Sequence, residues 1–394
     1  MTEVPLTLSR AAVAATFFQN GLLTGGWALH IPLILRRLDI TPATMGLIIV
    51  LFGIGSLAAM LALGPWIDRR GSRAVCFAGA VGSSFFLAVL ALTPDVWTTA
   101  AVAFFVGLLI GGVDLAMNAN GVVVERRLGR AVMSSFHGWW SVGAGVGASA
   151  SGPLIGWLGG FGHGVVFGVL ALLIALWAGP RYAPDAPEPD ADKAPLRIPR
   201  QAIVWLIGIA VLMPYVAEGA VIDWSATYLR LEHGAPVSLW GLGVGSLSVT
   251  MVVMRFKGDR LRERVGAFAT LFWGGAIAAV GFALAGVAGL DELADAPFAL
   301  RAALVVTGFM TAGLGLANMV PVAFAAAGNL PGIPSGSALS VATAMGYGGI
   351  LLAPSLLGLM GERTGFAAVY LVVALLPLVV MALARTVSGA RGPR

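Results

Sequence analysis

The fold class that the sequence predicts is an all-α membrane protein of twelve transmembrane helices in two pseudo-symmetric six-helix bundles. Three observations lead there. The chain is 58% hydrophobic and only 11% charged, against about 25% charged residues in an ordinary soluble domain. Its apolar runs are long enough to cross hydrocarbon, which needs roughly 20 residues at helical rise. Its basic residues gather in the short loops between those runs. The 54 glycines fit helices that approach closely in lipid, where small residues let backbones pack.

In order, the expected spans are 10–33, 43–66, 73–92, 98–122, 132–157 and 161–179, then 201–229, 237–256, 265–288, 298–325, 335–360 and 365–385. The first is too long for a signal-peptide core and is kept as a helix. Arg181 to Arg200 is rich in proline and acidic residues, cannot bury a core, and reads as a linker. The expected organisation is therefore 1–180 as the first bundle, 181–200 as a cytoplasmic linker and 201–394 as the second bundle. With both termini in the cytoplasm, 19 of the 24 lysines and arginines fall inside and 5 outside. That is the asymmetry of the positive-inside rule, and it holds only for an even helix count.

The bundles echo one another. Gly64-Pro-Trp-Ile-Asp68-Arg69-Arg70-Gly71-Ser-Arg73 after the second span has a weaker copy in Lys257-Gly258-Asp259-Arg260 after the eighth. Gly152-Pro153 is matched by Ala353-Pro354, and Leu115-Ala116 by Leu316-Ala317. Asn20-Gly21 in span one parallels Glu218-Gly219 in span seven, with Trp27 and Trp224 following. Two such repeats place a binding site at their interface near the midplane.

Some function classes drop out. There is no G-x-x-x-x-G-K-[ST] phosphate loop, so ATP-driven transport is disfavoured. Cys76 stands alone and only four histidines occur, without spacing for a metal; no cofactor is expected. The formal charge of +5 is spread over loops rather than one folded face, so no nucleic acid is expected. An integral-membrane enzyme would need a convergent nucleophile or metal set, and none is visible.

The loop Gly64–Arg73 resembles the major facilitator superfamily signature G-x-x-x-D-R-x-G-x-R. Asp114-Leu-Ala-Met-Asn118, Met133-Ser-Ser-Phe-His137-Gly-Trp-Trp-Ser141, Glu218-Gly-Ala-Val-Ile-Asp223-Trp224 and Gly346-Tyr347-Gly348 narrow the likeness. Together they resemble the YbjJ-like and MosC-like bacterial proteins related to fucose permeases. The resemblance covers essentially the whole chain. It implies a monomeric secondary transporter of a bacterial inner membrane, proton-coupled, carrying a sugar, polyol or related small polar solute, with import by symport favoured. A proton-antiport efflux carrier for amphipathic compounds and a non-transporting solute sensor are the alternatives. The short tail Arg385–Arg394 sets an expectation against the sensor.

The charged and polar residues within the spans carry the site expectations, because an ionised group at bilayer depth is costly and faces a cavity or a partner. Asp114 and Glu218 are the proton-coupling candidates, the first supported by the resemblance, which has an acid on the fourth helix. Pro214 and Gly219 are expected to break span seven. Five positions, about 500° of rotation, separate Glu218 from Asp223, so in a regular helix they take different faces. Gln19, Asn20, Asn118, Tyr215, Asp223, Asn318 and Tyr347, with Trp27 or Trp224 stacking a sugar face, form the candidate solute contacts. Interhelical hydrogen bonding is the competing use of each amide. The candidate cytoplasmic gate is Asp68, Arg69, Arg73, Glu125, Arg127, Asp259 and Arg260. Within it Asp68 is expected to face the helix start at Pro334-Ser335-Gly336, and Glu125 to join Arg126 and Arg127 in an ion-pair cluster.

Overall fold

Helices account for nearly the whole chain. The computed structural model describes residues 4–130, 132–185, 199–333 and 335–389, without the side chains of 258–263, 335 and 336. Among these residues there is no strand. The helices are α1 (Leu6–Leu38), α2 (Pro42–Arg70), α3 (Arg73–Gly82), α4 (Phe86–Leu92), α5 (Val96–Leu128), α6 (Met133–Ala178), α7 (Ala202–Leu231), α8 (Leu242–Val287), α9 (Phe298–Leu316), α10 (Met319–Gly328), α11 (Ser335–Thr364), α12 (Phe366–Val373) and α13 (Leu375–Gly389). Among the described residues, ten helical segments are long and apolar enough to cross a membrane.

The expected spans map onto these helices with local differences. α1 is not among the ten, because Gln19, Asn20, His30 and Arg36 dilute its apolar character. The fifth and sixth expected spans merge into α6, which turns at Gly159 with φ 71° and ψ 174°. α8 turns likewise at Gly266, φ 80° and ψ 167°. A side chain would be strained at either place, so glycine is what lets two arms follow one another without a loop. The third expected span divides into α3 and α4 around Ser83 and Ser84, whose hydroxyls donate to Ala80 O. α7 is the clearest correction: it runs helical from Ala202 through Leu231, and neither Pro214 nor Gly219 breaks it. Proline removes one backbone donor, but a packed neighbouring helix makes that loss tolerable.

The chain forms two compact units. The first is residues 1–191 with 235–245, and the second is 192–234 with 246–394. In the first, α1 lies along α6 through interleaved glycines. A Cβ added at Gly21 would overlap Trp140 O and one at Gly25 would overlap Ala144 O, while Gly143 and Gly147 face Phe18 O and Leu22 O. α2 and α5 repeat the device, with Gly55 against Phe104 O and Gly107 against Phe52 O. In the second unit, Gly281 and Gly308 bring α8 against α9 backbone to backbone. Lipid tails offer no hydrophobic drive between helices, so this close approach supplies dispersion contact instead.

The first unit also folds the start of the linker into its core. Tyr182 and Ala183 are fully buried, and Tyr182 Oη lies 2.7 Å from Thr16 Oγ1. Asn120 holds the Ala183 backbone at both ends, donating to its carbonyl at 2.9 Å and accepting from its amide at 3.2 Å. The expected linker 181–200 therefore begins as packed structure. Residues 186–198, with Lys193 and Arg197, lie outside the described residues.

Candidate functional site

In the second unit the site is built on α7. Glu218 lies past the middle of that helix and meets Arg255 of α8, whose Nη2 donates to Oε1 at 3.2 Å and Oε2 at 3.4 Å. The two side chains are 14% and 16% exposed. Arg255 lies at the end of the expected span 237–256, and α8 continues beyond it as helix to the turn at Gly266. A buried carboxylate needs a counter-charge, and Arg255 supplies it. Its signal was present in the sequence, because Met251-Val-Val-Met254 and Phe256 flank it with apolar residues.

On another face of the same stretch of α7, a small cleft opens against α11. It is lined by Tyr215, Gly219 and Asp223 from α7 and by Ile350 and Pro354 from α11. The rings of Tyr215 and Tyr347 lie 6.4 Å apart. Nothing lies within 4 Å of where a Cβ at Gly219 would sit, so the helix surface there is open. Three expected solute residues, Tyr215, Asp223 and Tyr347, thus gather between α7 and α11. Glu218 turns to α8, which is the division of faces that regular helical spacing predicts for Glu218 and Asp223. Trp224 does not join them. It is fully buried and stacked on Phe366 at 5.3 Å, so its ring faces the unit's core. Asn318 sits half-buried at the step between α9 and α10.

The end of α7 carries a further cluster that the sequence reading missed. Glu232 accepts from Phe366 N and from Ala367 N at 2.9 Å, capping α12. Arg301 donates to Glu232 O at 3.3 Å. Burial raises the Glu232 carboxyl above its ordinary value, opposed by those two amides. His233 is buried with both ring nitrogens lacking a partner, and burial, with Arg301 nearby, pushes it down to about 4.

In the first unit, Asp114 and Asn118 share one face of α5, both half-buried. Asn118 Nδ2 donates to Asp114 O at 2.8 Å and reaches Asp114 Oδ1 at 3.5 Å. On α1, Gln19 donates to Ala80 O at 2.9 Å, and Asn20 Oδ1 accepts from Trp140 Nε1 at 2.8 Å. Each amide keeps one buried atom without a partner, Gln19 Oε1 and Asn20 Nδ2. An unmet acceptor and an unmet donor on adjacent residues cost free energy unless something else satisfies them. Trp27 stacks on Phe52 at 6.0 Å and is 6% exposed, so one of its faces is already covered.

The expected gate divides. Asp68 and Arg69 are exposed in the last turn of α2, and Arg73 starts α3 half-buried. Glu125 Oε2 accepts from Val132 N at 2.7 Å and Met133 N at 2.9 Å, which caps α6. Arg127 donates to Pro184 O. The amide of Ser72, at the start of α3, donates to Asp185 Oδ2. Glu125 and Arg127 thus serve a helix N-terminus and the linker start, a role that helix-end charge favours. The side chains of Asp259 and Arg260, and the helix start at Pro334-Ser335-Gly336, lie outside the described residues. Among the described residues no group of histidines, cysteines and carboxylates could hold a metal ion.

Comparison with known proteins gives consistent results. Residues 13–332 match the family described as Major Facilitator Superfamily. An uncharacterized MFS-type transporter of Yersinia pestis is 34% identical over 94% of both chains. An uncharacterized transporter of Sinorhizobium fredii is 31% identical over 94% of this chain and 96% of its own. The membrane protein MosC of Rhizobium meliloti is 26% identical over 91% of this chain and 85% of its own. Among solved structures, a mutant form of the nucleoside transporter NupG superposes with a TM-score of 0.76 over 96% of this chain and 99% of its own, at 14% identity. A second NupG structure gives 0.67 over 97% of this chain and 98% of its own, at 16% identity.

Proposed function

Because the chain belongs to the Major Facilitator Superfamily, and is therefore a multi-pass membrane transporter rather than an enzyme, we propose that it is a proton-coupled carrier of a small hydroxyl-bearing solute. Sugars and polyols are the leading solute class. Nucleosides join them because the structural neighbours are nucleoside transporters. The proposed topology has twelve crossings: the ten apolar segments, α1, and the two arms of Met133–Arg181 counted separately. Both termini face the cytoplasm of a bacterial inner membrane, the carrier is a monomer, and flux is inward by symport.

The observation that carries this reading is the Glu218–Arg255 pair inside the helical span, on the stretch of α7 whose other face lines the Tyr215–Asp223 cleft. A proton on Glu218 neutralises the carboxylate and weakens its hold on Arg255. Protonation and the position of α8 against α7 are then linked, since a proton shifts a conformational equilibrium by its differential affinity for the two states. Asp114 is the second proposed coupling carboxylate. The phenol groups of Tyr215 and Tyr347, the Asp223 carboxylate and the unmet atoms of Gln19 and Asn20 are donors and acceptors of the kind a polyhydroxylated solute uses. Asn118 and Asn318 are retained as proposed contacts. Trp27 and Trp224 are assigned to packing in this conformation.

The test is uptake of a solute panel (hexoses, polyols, nucleosides) into proteoliposomes under an imposed proton gradient. Wild type should concentrate one class of solute. Glu218→Gln or Asp114→Asn should exchange that solute without concentrating it. If ligands raise the melting temperature while no gradient drives uptake, the carrier reading is wrong and a sensor takes its place.

A further inference from the structure

The Glu218–Arg255 pair sets a condition on the solute as well as on the proton. Thirteen positions separate Glu218 from Leu231 at the end of α7, and thirteen separate Leu242 at the start of α8 from Arg255. On consecutive helices that run in opposite directions, each group thus stands about 20 Å from the facing ends. That depth is well inside a hydrocarbon layer of about 30 Å. Neither side chain is sealed in, at 14% and 16% exposure.

The other charges on the helices packed against α7 lie elsewhere. α10 and α12 carry none. Arg301 of α9 donates to Glu232 O, and Arg385 of α13 lies over the Phe268 ring. Glu362 and Arg363 are in the last turn of α11. On α7 itself, Asp223 lines the cleft toward α11 and Arg230 is in the last turn. Among the described residues, Arg255 is therefore the counter-charge of Glu218.

Two charges that cancel at this depth are best changed in ways that keep them cancelled. A proton alone on Glu218 leaves the guanidinium uncompensated. An anion alone on Arg255 sets two negative groups against one positive group. A proton and a monovalent anion arriving together leave the site neutral. A neutral sugar offers no charge to replace the carboxylate that Arg255 gives up.

From this balance we infer that the carried solute is a hydroxylated monocarboxylate, of the aldonate or uronate kind, whose carboxylate replaces that of Glu218 on Arg255. The inference deepens the proton-coupled reading above and rests on it. In atoms, a proton from water adds to a carboxylate oxygen of Glu218, which becomes a neutral acid and releases Arg255 Nη2. The solute carboxylate then accepts from the guanidinium, whose planar fork matches it. A solute carboxylate beside Glu218 disfavours the ionised form of that residue, and protonated Glu218 frees the guanidinium for the solute. Each therefore strengthens the binding of the other, by the same factor in both directions. A phosphate monoester carries about 1.5 to 2 negative charges, more than one proton and one arginine offset. Asp223 and Tyr215, on the cleft face of α7, suit the hydroxyl end of such a solute, since a carboxylate accepts hydroxyl hydrogens and repels a second anion.

The experiment uses the wild-type chain in proteoliposomes with gluconate, glucuronate, glucose, sorbitol, a nucleoside and glucose 6-phosphate. A gradient of about one pH unit, acid outside, should concentrate gluconate or glucuronate about tenfold, the ratio that one proton per anion allows. A potential imposed with valinomycin should add nothing, because the pair crosses without net charge. Concentration of a neutral solute but of neither sugar acid would overturn the inference and leave the carrier reading standing. Sugar-acid uptake that follows the potential would overturn the charge balance on which the inference stands. If no gradient concentrates any solute, the carrier reading falls and this inference with it. A second measurement reads Arg255 directly. At about pH 8 the sugar acid should raise the melting temperature of Glu218→Gln more than that of wild type, while glucose shifts neither. A sugar-acid shift no larger in the variant than in wild type would remove the exchange on Arg255. If Glu218→Gln does not fold, uptake by the wild type decides alone.

Discussion

The α1–α6 seam and the α7–α11 seam solve the same packing problem differently. On the first, glycines of both helices meet the partner's backbone, as Gly25 does at Ala144 O and Gly143 at Phe18 O. On the second, Gly346 receives the Tyr215 ring, Gly349 receives Leu212, and Gly208 receives the Met345 sulfur. Backbone against backbone leaves one arrangement, and the polar groups it traps, Asn20 with Trp140 and His30 with His163, are held by direct hydrogen bonds. Side chain against glycine can repack, because rotamers change more readily than helix positions. The cleft beside Glu218 opens on that second seam. Rigid and adaptable helix contacts are thus divided between corresponding helices of the two units.

Breaking the rigid seam should have the largest effect. Gly25→Leu drives a branched side chain into Ala144 backbone, so a cost of about 3 kcal/mol or more and loss of monodisperse protein in detergent are expected. If thermal unfolding of that variant matched wild type, the seam would not be rigid. Next comes the charge pair beside the adaptable seam. Arg255→Ala leaves the Glu218 carboxylate without its counter-charge at 14–16% exposure. About 3 kcal/mol should be lost, with much of it recovered in Glu218→Gln/Arg255→Ala, a coupling that a double-mutant cycle on melting temperature would read.

A smaller, pH-dependent effect belongs to the end of α7. His233 is held neutral in the folded protein down to about pH 4. The unfolded chain takes up that proton near pH 6.5, so stability contributed by the neutral ring is present above 6.5 and is lost as pH falls toward 4. His233→Gln should flatten the melting temperature across that window; an unchanged slope would assign the acid sensitivity elsewhere. The smallest effect is expected at Gly219, where a new Cβ meets nothing within 4 Å. Gly219→Ala should gain about 0.5–1 kcal/mol from helix propensity. A loss instead would mean that α7 flexes there after all.

Much of this was legible in the chain. The long apolar runs, the signature at Gly64–Arg73 and the repeat of Asn20-Gly21 in Glu218-Gly219 led to the family that the comparison shows. Tyr215 and Asp223, singled out as polar residues in greasy helices, line one cleft, with the Tyr347 ring 6.4 Å from that of Tyr215. Other readings failed for physical reasons. Pro214 and Gly219 are local helix breakers whose effect neighbouring helices cancelled in α7. The carboxylate of Glu125, expected in a cluster with Arg126 and Arg127, also accepts from the amides of Val132 and Met133, a contact that no local pattern announced.

The sequence by itself determined the solvent in which this protein folds, where its apolar runs lie and which carboxylates fall within them. Those follow from composition and periodicity, which are local properties. Only the tertiary structure decided which polar groups meet. His30 and His163 are 133 positions apart, and Glu218 and Arg255 are 37. Their pairing depends on the turn at Gly159, the reach of α8 and the depth to which glycines let helices approach. None of these carries a periodic signal, because each is a property of two helices at once.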